Sequence, residues 1–133
     1  CDAYGNAQID GLPFLDIDLA MAANGVILTT ERIVSNDQIR RIPDQTKIPF
    51  MAVDAVVEAP FGSAPHECYG HYEPLFAHLD SYAAQIRGDP EGGIAAYLER
   101  HFFAPKSWNE YLELIGLEQL LDASRRGIGI YDG

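Results

Sequence analysis

The sequence predicts an α/β fold: an open, mainly parallel sheet with flanking helices and a helical C-terminal tail. Two apolar segments rich in β-branched residues, 26–34 and 50–60, have the composition of strands, and the first is typical of a strand that is buried on both faces. Helical segments separate the predicted strands, an order that is typical of parallel sheets. After residue 73 the pattern becomes helical, which predicts the tail.

The first two predicted elements are a short strand and a helix. Gly5-Asn6 is a turn signal that leads into the strand. Asp16 stands where an N-cap is expected, apolar residues follow it at helical spacing, and Gly25 ends the helix.

The next elements complete a predicted sheet portion, residues 1–60. The second strand is followed by a short helix that Ser35 caps and Pro43 closes. The strand at 50–60 stops at Pro60, since proline has no N–H to donate to a ladder.

The remainder is predicted to be a pocket loop, residues 61–73, and a helical tail, residues 74–133, that packs on the sheet or on a partner. The predicted helices of the tail span residues 74–87, 90–104, 107–115 and 117–126. Closely spaced apolar residues in the tail are typical of a core, but in so small a domain they also leave room for a partner-binding surface. These residues are Phe102, Phe103, Trp108, Tyr111, Leu112 and Ile115.

The composition excludes several classes of function. The 133 residues amount to about one domain, and 20 acidic against 9 basic residues, a formal charge of −11, argue against nucleic-acid binding. No apolar run reaches the ~20 residues of a membrane span. Cys1 and Cys68 are expected to remain thiols, which suits a reducing cytoplasm. The start at Cys1 rather than Met predicts a fragment or a processed product.

Residues 65–74, "PHECYGHYEP", concentrate potentially reactive side chains. His66 and His71 are five positions apart, so on a helix they would lie about 140° apart and not on one face, unlike the H-E-x-x-H zinc motif. The proline and glycine of the stretch favour a loop. In a loop, His66, Cys68 and His71 could reach a zinc ion, although a fourth ligand is missing. A Cys68–His71 nucleophile–base pair is a second alternative, and the polar lining of a pocket or interface is the third.

Three carboxylates lie in or near the predicted strands. Glu31 and Glu58, near strand ends, have the placement of general bases at a sheet edge, but such residues more often cap a helix or pair with arginine. Asp54, within an apolar strand, is expected to be hydrogen-bonded, because burying an unpaired carboxylate costs several kcal/mol. Gly92-Gly93 precedes a helix but follows no strand, which indicates a turn and helix start rather than a phosphate loop.

Several stretches, taken in order, resemble the A (alpha) subunit of class I CoA-transferases of the glutaconate CoA-transferase type. They are "YGNAQIDG", "DLAMAA", "VILTTERIVSNDQI" and "IPDQTKIPFMAVDAVVEAPFGSAPHECYGHY", followed by a tyrosine-rich helical ending. The resemblance runs over about residues 2–115, and the long fourth stretch is its most specific part. The chain resembles the C-terminal half of such a protein, without the glycine-rich oxyanion loop that is usual nearer the start.

The resemblance implies that the chain works with a homologous B (beta) subunit in a heteromer. The active site would form between the two proteins, and the catalytic glutamate would belong to the partner. Nothing in this chain matches that nucleophile, since Glu91-Gly92-Gly93 has the letters of the motif but lies in a turn before a helix. The implied reaction is a ping-pong exchange of CoA between an acyl-CoA and a carboxylic acid. No metal or redox cofactor is required, because coenzyme A is a substrate, and the isolated chain is expected to be inactive.

The loop after the third strand lies where open α/β sheets bind ligands. The resemblance therefore implies that this loop contributes to an acyl pocket through Ser63, His66, Cys68 and Tyr69. Two alternatives stay open. One is a ring-opening hydrolase of the same superfamily that acts on CoA thioesters of degraded sterols. The other is a non-catalytic scaffold or assembly module that only binds a partner.

Overall fold

The computed structural model describes residues 1–128, so the last five residues of the predicted tail lie outside the described residues. The chain divides into two compact units, Cys1–Gly62 and Ser63–Gly133. They are called here the strand unit and the helical unit. Among the described helices, none is both long and apolar enough to cross a lipid bilayer.

The strand unit contains two small sheets. β1 (Ala7–Gln8) pairs antiparallel with β3 (Thr46–Ile48), while β2 (Ile27–Thr30) pairs parallel with β4 (Ala55–Glu58). β2 and β4 come from the two most apolar predicted strands, and their pairing is parallel as predicted. The mixture of helices and strands confirms the α/β class, although the strands of residues 1–128 form two separate pairs instead of one open sheet.

Two helices lie between the strands of this unit. α1 (Asp16–Ala22) begins one residue earlier than predicted, because Leu15 occupies the cap position and Asp16 is the first helical residue. α2 (Asn36–Arg41) is capped by Ser35 as predicted, through a hydroxyl that accepts an N–H of the first turn. An acidic first turn and a basic last turn further stabilise α2 through the helix dipole.

The sequence predicts that the first apolar strand, residues 26–34, is buried on both faces, and this is wrong. Ile27 is 73% exposed, and β2 alternates exposed with half-buried residues. A two-stranded sheet presents little area for other elements to cover, so its side chains stay open to solvent. The segment 50–60 also begins with a 3-10 turn, Phe50–Ala52, closed by the N–H of Val53 on the carbonyl of Phe50. β4 therefore begins at Ala55, five residues after the start of the predicted strand.

A buried carboxylate organises the start of the strand unit. Asp2 is 1% exposed and accepts hydrogen bonds from the N–H groups of Tyr4 (3.0 Å) and Asn6 (2.9 Å). The side-chain amides of Asn6 (2.8 Å) and Asn36 (2.7 Å) donate to its other oxygen. Four donors satisfy the buried charge and join the first turn of the chain to α2.

Up to residue 128 the helical unit contains four helices, which confirms the four predicted in the tail. Ser107 and Asp89 accept N–H groups at the starts of two of them, and Gly116, with φ of 105°, ends one. The helices are α3 (Phe76–Gly88), α4 (Pro90–Leu98) continued by a π-helical turn (Glu99–Phe103), α5 (Trp108–Ile115) and α6 (Leu117–Ile128).

The core of the helical unit forms where α6 meets the residues before α3. Leu120 and Ala123 are fully buried, and Tyr72 is 3% exposed. A Cβ atom on Gly127 would lie 2.6 Å from the Cα of Tyr72, so only glycine permits this approach. A second close approach joins α3 to α4, because a Cβ on Gly93 would lie 2.8 Å from the carbonyl oxygen of Gln85.

Candidate substrate-binding loop

Glu31 holds the turn that follows β4. Its carboxylate accepts the N–H groups of Phe61 (2.7 Å) and Gly62 (3.2 Å). Phe61 has φ of 62°, a left-handed conformation that costs a non-glycine residue about 1 kcal/mol or more. Hydrogen bonds to a charged acceptor stabilise this turn. Glu31 thus binds the backbone of a turn, a role that was not among those expected from the sequence.

The other two carboxylates tie backbone groups of the strand unit together. Glu58 accepts the N–H of Ile33 (2.9 Å), and Asp54 accepts the N–H of Val26 (2.8 Å). The expectation that Asp54 is hydrogen-bonded is confirmed. Its predicted place inside an apolar strand is wrong, because Asp54 precedes β4, and its side chain is exposed.

Four hydrogen bonds fix the backbone at Ser63–His66, where the helical unit begins. The N–H of Ser63 donates to the hydroxyl of Tyr72 (2.9 Å), and the N–H of His66 donates to the carbonyl of Ser63 (2.9 Å). The hydroxyl of Tyr111, on α5, donates to the carbonyl of Ala64 (3.1 Å). The carbonyl of Pro65 accepts the N–H of Leu75 (2.9 Å).

The second part of the loop is a tight hairpin-like turn. The N–H of Cys68 donates to the carbonyl of Tyr72 (3.1 Å), and the carbonyl of Cys68 accepts the N–H groups of Tyr72 (3.0 Å) and His71 (2.9 Å). Gly70, with φ of 78°, supplies the left-handed residue that the turn requires. The histidines therefore lie in a loop and not on a helix.

α6 holds the end of the loop. The N–H of Glu73 donates to the carbonyl of Ala123 (3.1 Å), and the carboxylate of Glu73 accepts the Nε–H of Arg126 (2.9 Å). Arg126 also pairs with Asp122 one turn earlier on α6. These bonds anchor the loop to the best-packed helix of the unit.

The four predicted substrate-binding residues lie within this one tethered loop. Ser63, His66 and Tyr69 are exposed, and Cys68 is half-buried. The loop thus presents a hydroxyl, an imidazole and a phenol to solvent on a backbone that is held at several points. Among residues 1–128, no three histidine, cysteine or acidic side chains are grouped so that they could hold a metal ion.

Glu91-Gly92-Gly93 lies in the first turn of α4. The carboxylate of Asp89 caps this helix through the N–H of Gly92 (3.1 Å), and Gly93 permits the close approach to α3. The predicted turn and helix start is confirmed, and the second glycine has a packing role.

Sequence analysis missed a cluster of aromatic and imidazole side chains on α3, α4 and the π-helical turn. His78 Nε2 and the hydroxyl of Tyr97 are 3.0 Å apart, and the His101 ring packs on both rings. Burial lowers the pKa of His78, and Arg100 lowers it further. Burial is also the main cause of the lowered pKa of His101, with smaller contributions from His78 and Arg100. Because His78 and His101 lie in different helical segments, no local signal in the sequence predicts their contact.

The closely spaced apolar residues of the tail separate into two groups. Ile115 is buried, and Trp108 stacks on Tyr111 with ring centroids 5.0 Å apart. Phe102 and Phe103 are exposed, the latter to 70%. The core interpretation is therefore right for Ile115 and wrong for the two phenylalanines.

Comparison with known proteins finds relatives among the CoA-transferases. The chain is 37% identical over 118 residues to the A subunit of glutaconate CoA-transferase from Acidaminococcus fermentans, which is 89% of this chain and 36% of the relative. The crystal structure of glutaconate coenzyme A-transferase from that organism superposes with a TM-score of 0.83 at 37% identity, over 90% of this chain and 37% of the other. The chain is homologous to the A subunit of a CoA-transferase. The resemblance seen in the sequence is thereby confirmed.

Two further relatives of this CoA-transferase homologue widen the comparison. An uncharacterized protein of Archaeoglobus fulgidus is 43% identical over 125 residues, 94% of this chain and 28% of that protein. A cholesterol ring-cleaving hydrolase IpdA subunit of Mycobacterium tuberculosis is 40% identical over 91 residues, 62% of this chain and 30% of that protein. The chain thus spans about a third of the length of these curated relatives. No protein-family model matches it.

Proposed function

We propose that this chain is part of the A subunit of a heteromeric, cytoplasmic CoA-transferase that moves CoA between an acyl-CoA and a carboxylic acid. The observation that carries the proposal is the fold match at a TM-score of 0.83 with 37% identity over 90% of the chain. The acidic composition also fits substrates and partners other than nucleic acid.

In the proposed reaction a glutamate of a homologous B subunit is the nucleophile. Its carboxylate attacks the thioester carbonyl, the C–S bond breaks, and an acyl-glutamyl anhydride and CoA thiolate result. The thiolate attacks the glutamyl carbonyl and releases the first carboxylate, which leaves a glutamyl-CoA thioester. An incoming carboxylate then attacks the glutamyl-CoA thioester, which gives a new anhydride and CoA thiolate. The thiolate attacks the acyl carbonyl of this anhydride, so the new acyl-CoA leaves and the glutamate is regenerated.

The loop of this chain is proposed to bind the acyl group. Ser63, His66, Cys68 and Tyr69 offer hydrogen-bond donors and a half-buried thiol on one short segment. Each tetrahedral intermediate carries an anionic oxygen, and donors on a fixed backbone stabilise such charge better than mobile ones. The four backbone bonds at Ser63–His66 support this assignment.

The test is an assay of the heteromer formed by the complete A and B proteins. We expect CoA transfer that requires both an acyl-CoA and an acceptor carboxylate, and no activity from the isolated chain. Borohydride added during turnover should reduce the glutamyl thioester and label a glutamate of the partner. Label on Glu31, Glu58 or Glu91 would contradict the assignment of the nucleophile.

A second candidate is a ring-opening hydrolase of CoA thioesters. It is favoured by the 40% identity over 91 residues to the protein named as a cholesterol ring-cleaving hydrolase. The same assay separates the two, because a hydrolase consumes the thioester substrate with no acceptor carboxylate present. A complex that is inactive toward a broad panel of acyl-CoA and carboxylate pairs would support the scaffold alternative and refute both enzymes.

A further inference from the structure

The loop Ser63–Tyr69 is hydrogen-bonded to α5, a helix that lies far from it in the sequence. Tyr111, in the first turn of α5, donates its hydroxyl hydrogen to the carbonyl of Ala64 at 3.1 Å across 47 positions. Ala64 is itself buried, so its carbonyl needs a donor from the protein. The Tyr111 hydroxyl supplies it and links α5 directly to the loop.

The Tyr111 side chain is itself fixed in place. Trp108, one turn earlier on α5, stacks on its ring at 5.0 Å with an interplanar angle of 27°. Ser107 caps the helix, and its carbonyl accepts the N–H of Tyr111 (3.1 Å). Because the ring and the backbone of Tyr111 are both held, its hydroxyl has a fixed position, and the carbonyl of Ala64 is held in place by it.

A second tyrosine hydroxyl binds the residue next to Ala64 in the loop. Tyr72, which is almost fully buried, accepts the N–H of Ser63 at 2.9 Å. The two phenols thus bind adjacent backbone groups, one as acceptor and one as donor. Together with the bond from the N–H of His66 to the carbonyl of Ser63, they fix the backbone that carries the exposed side chains of Ser63 and His66.

We propose that Tyr111 is a positioning residue, whose hydroxyl holds the Ala64 carbonyl so that Ser63 and His66 are preorganised to bind the acyl group of a CoA thioester. This rests on the proposed function for its ligand, but the tether itself is a property of the helical unit alone. A preorganised loop binds more tightly because less conformational entropy is lost on binding. Removal of the hydroxyl therefore weakens binding of substrate more than it slows chemistry at the partner's glutamate.

The experiment compares Tyr111→Phe with wild type in the heteromer formed by the complete A and B proteins. The variant deletes one oxygen and keeps the ring that stacks on Trp108. Amide hydrogen exchange at Ser63 and His66 should accelerate about five-fold, the effect of losing one typical hydrogen bond. KM for the acyl-CoA should rise about five-fold, with kcat within about two-fold of wild type.

The matched control is Tyr82→Phe, a tyrosine on α3 whose ring packs on Tyr97 at 4.5 Å. It should leave both exchange at Ser63 and KM unchanged. Tyr72→Phe loosens the same loop from its other tether and should reproduce the effect of Tyr111→Phe on Ser63, so the tether is testable even if one variant fails to fold.

The outcomes separate the inference from the function it rests on. Unchanged exchange at Ser63 and His66 in Tyr111→Phe would overturn the tether. Faster exchange with unchanged KM, or a kcat that falls alone, would overturn the positioning role. A wild-type complex that neither transfers nor hydrolyses would refute the proposed function and the acyl-binding part of the inference, while the exchange measurement would still decide the tether.

Discussion

Among the described residues, the largest fully buried side chain of the helical unit is Leu120, whereas in the strand unit it is the carboxylate of Asp2. The apolar residues of the strand unit lie largely at its surface, as on α1, which has no buried residue. Helices that follow one another can cover each other's apolar faces locally. Parallel strands need layers from distant parts of a chain, and the described strand pairs lack them. The helical unit is therefore centred on apolar side chains and the strand unit on a buried charge.

The largest expected effect comes from Leu120→Ala in α6. The lost contacts and the cavity should lower the free energy of unfolding by about 3 kcal/mol, measured by urea denaturation followed by circular dichroism. The matched control is Leu19→Ala on α1, where the leucine is exposed. It should cost less than about 0.5 kcal/mol. An equal cost at both sites would break the comparison between the units.

A smaller effect is expected from Asp2→Asn in the strand unit. The amide loses the charge and places an NH2 group against the donors of Asn6 and Asn36, which should cost about 2 kcal/mol at neutral pH. Asp10→Asn, at an exposed aspartate, is the matched control and should be nearly neutral. A neutral Asp2→Asn would contradict the view that this unit is organised around a charge.

The Asp2 effect should also depend on pH. Burial alone would raise the pKa of Asp2, but hydrogen bonds from Asn36, Asn6 and Tyr4 outweigh it and hold the pKa below its ordinary value of 3.8. A lowered pKa in the folded state stabilises the protein fully above the ordinary value, and this is lost as the pH falls through the folded value. The difference in urea midpoint between wild type and Asp2→Asn should therefore be constant near neutral pH and shrink below pH 3.8.

The smallest effect is a pH dependence in the helical unit near neutrality. His78 and His101 contact Tyr97, whose ring also packs on Tyr82, and the pKa of each histidine is lowered from 6.5, mainly by burial and further by Arg100. Tyr111 lies close enough for Tyr97 to contribute, after burial, to its raised pKa. The unfolded chain therefore binds protons first as the pH drops below 6.5, so stability should fall on acidification.

The measurement is the urea midpoint between about pH 7.5 and about pH 5.5, a range that spans the ordinary histidine pKa. The double variant His78→Gln/His101→Gln should show a weaker decline with acidification than wild type. His66→Gln, at an exposed loop histidine, should keep the wild-type decline. An unchanged slope in the double variant would show that the cluster does not control this dependence.

Local signals account for what could be predicted. The ends of the tail helices follow from Ser107, from Asp89-Pro90 and from Gly116, because caps and breakers act within one helical turn. The place and loop conformation of the segment with Ser63, His66, Cys68 and Tyr69 were also accessible, from the spacing of the histidines and the nearby Pro and Gly. Whether these residues bind substrate is still a prediction.

The sequence alone determined the α/β class, the four tail helices and the CoA-transferase resemblance, since these depend on periodicity, caps and ordered motifs along the chain. Burial was decided only by the tertiary structure, which left Ile27 exposed and enclosed Asp2. The same holds for the Tyr111–Ala64 bond and the His78–His101 contact. These contacts join residues far apart in sequence, and no local propensity specifies which distant groups meet when elements pack.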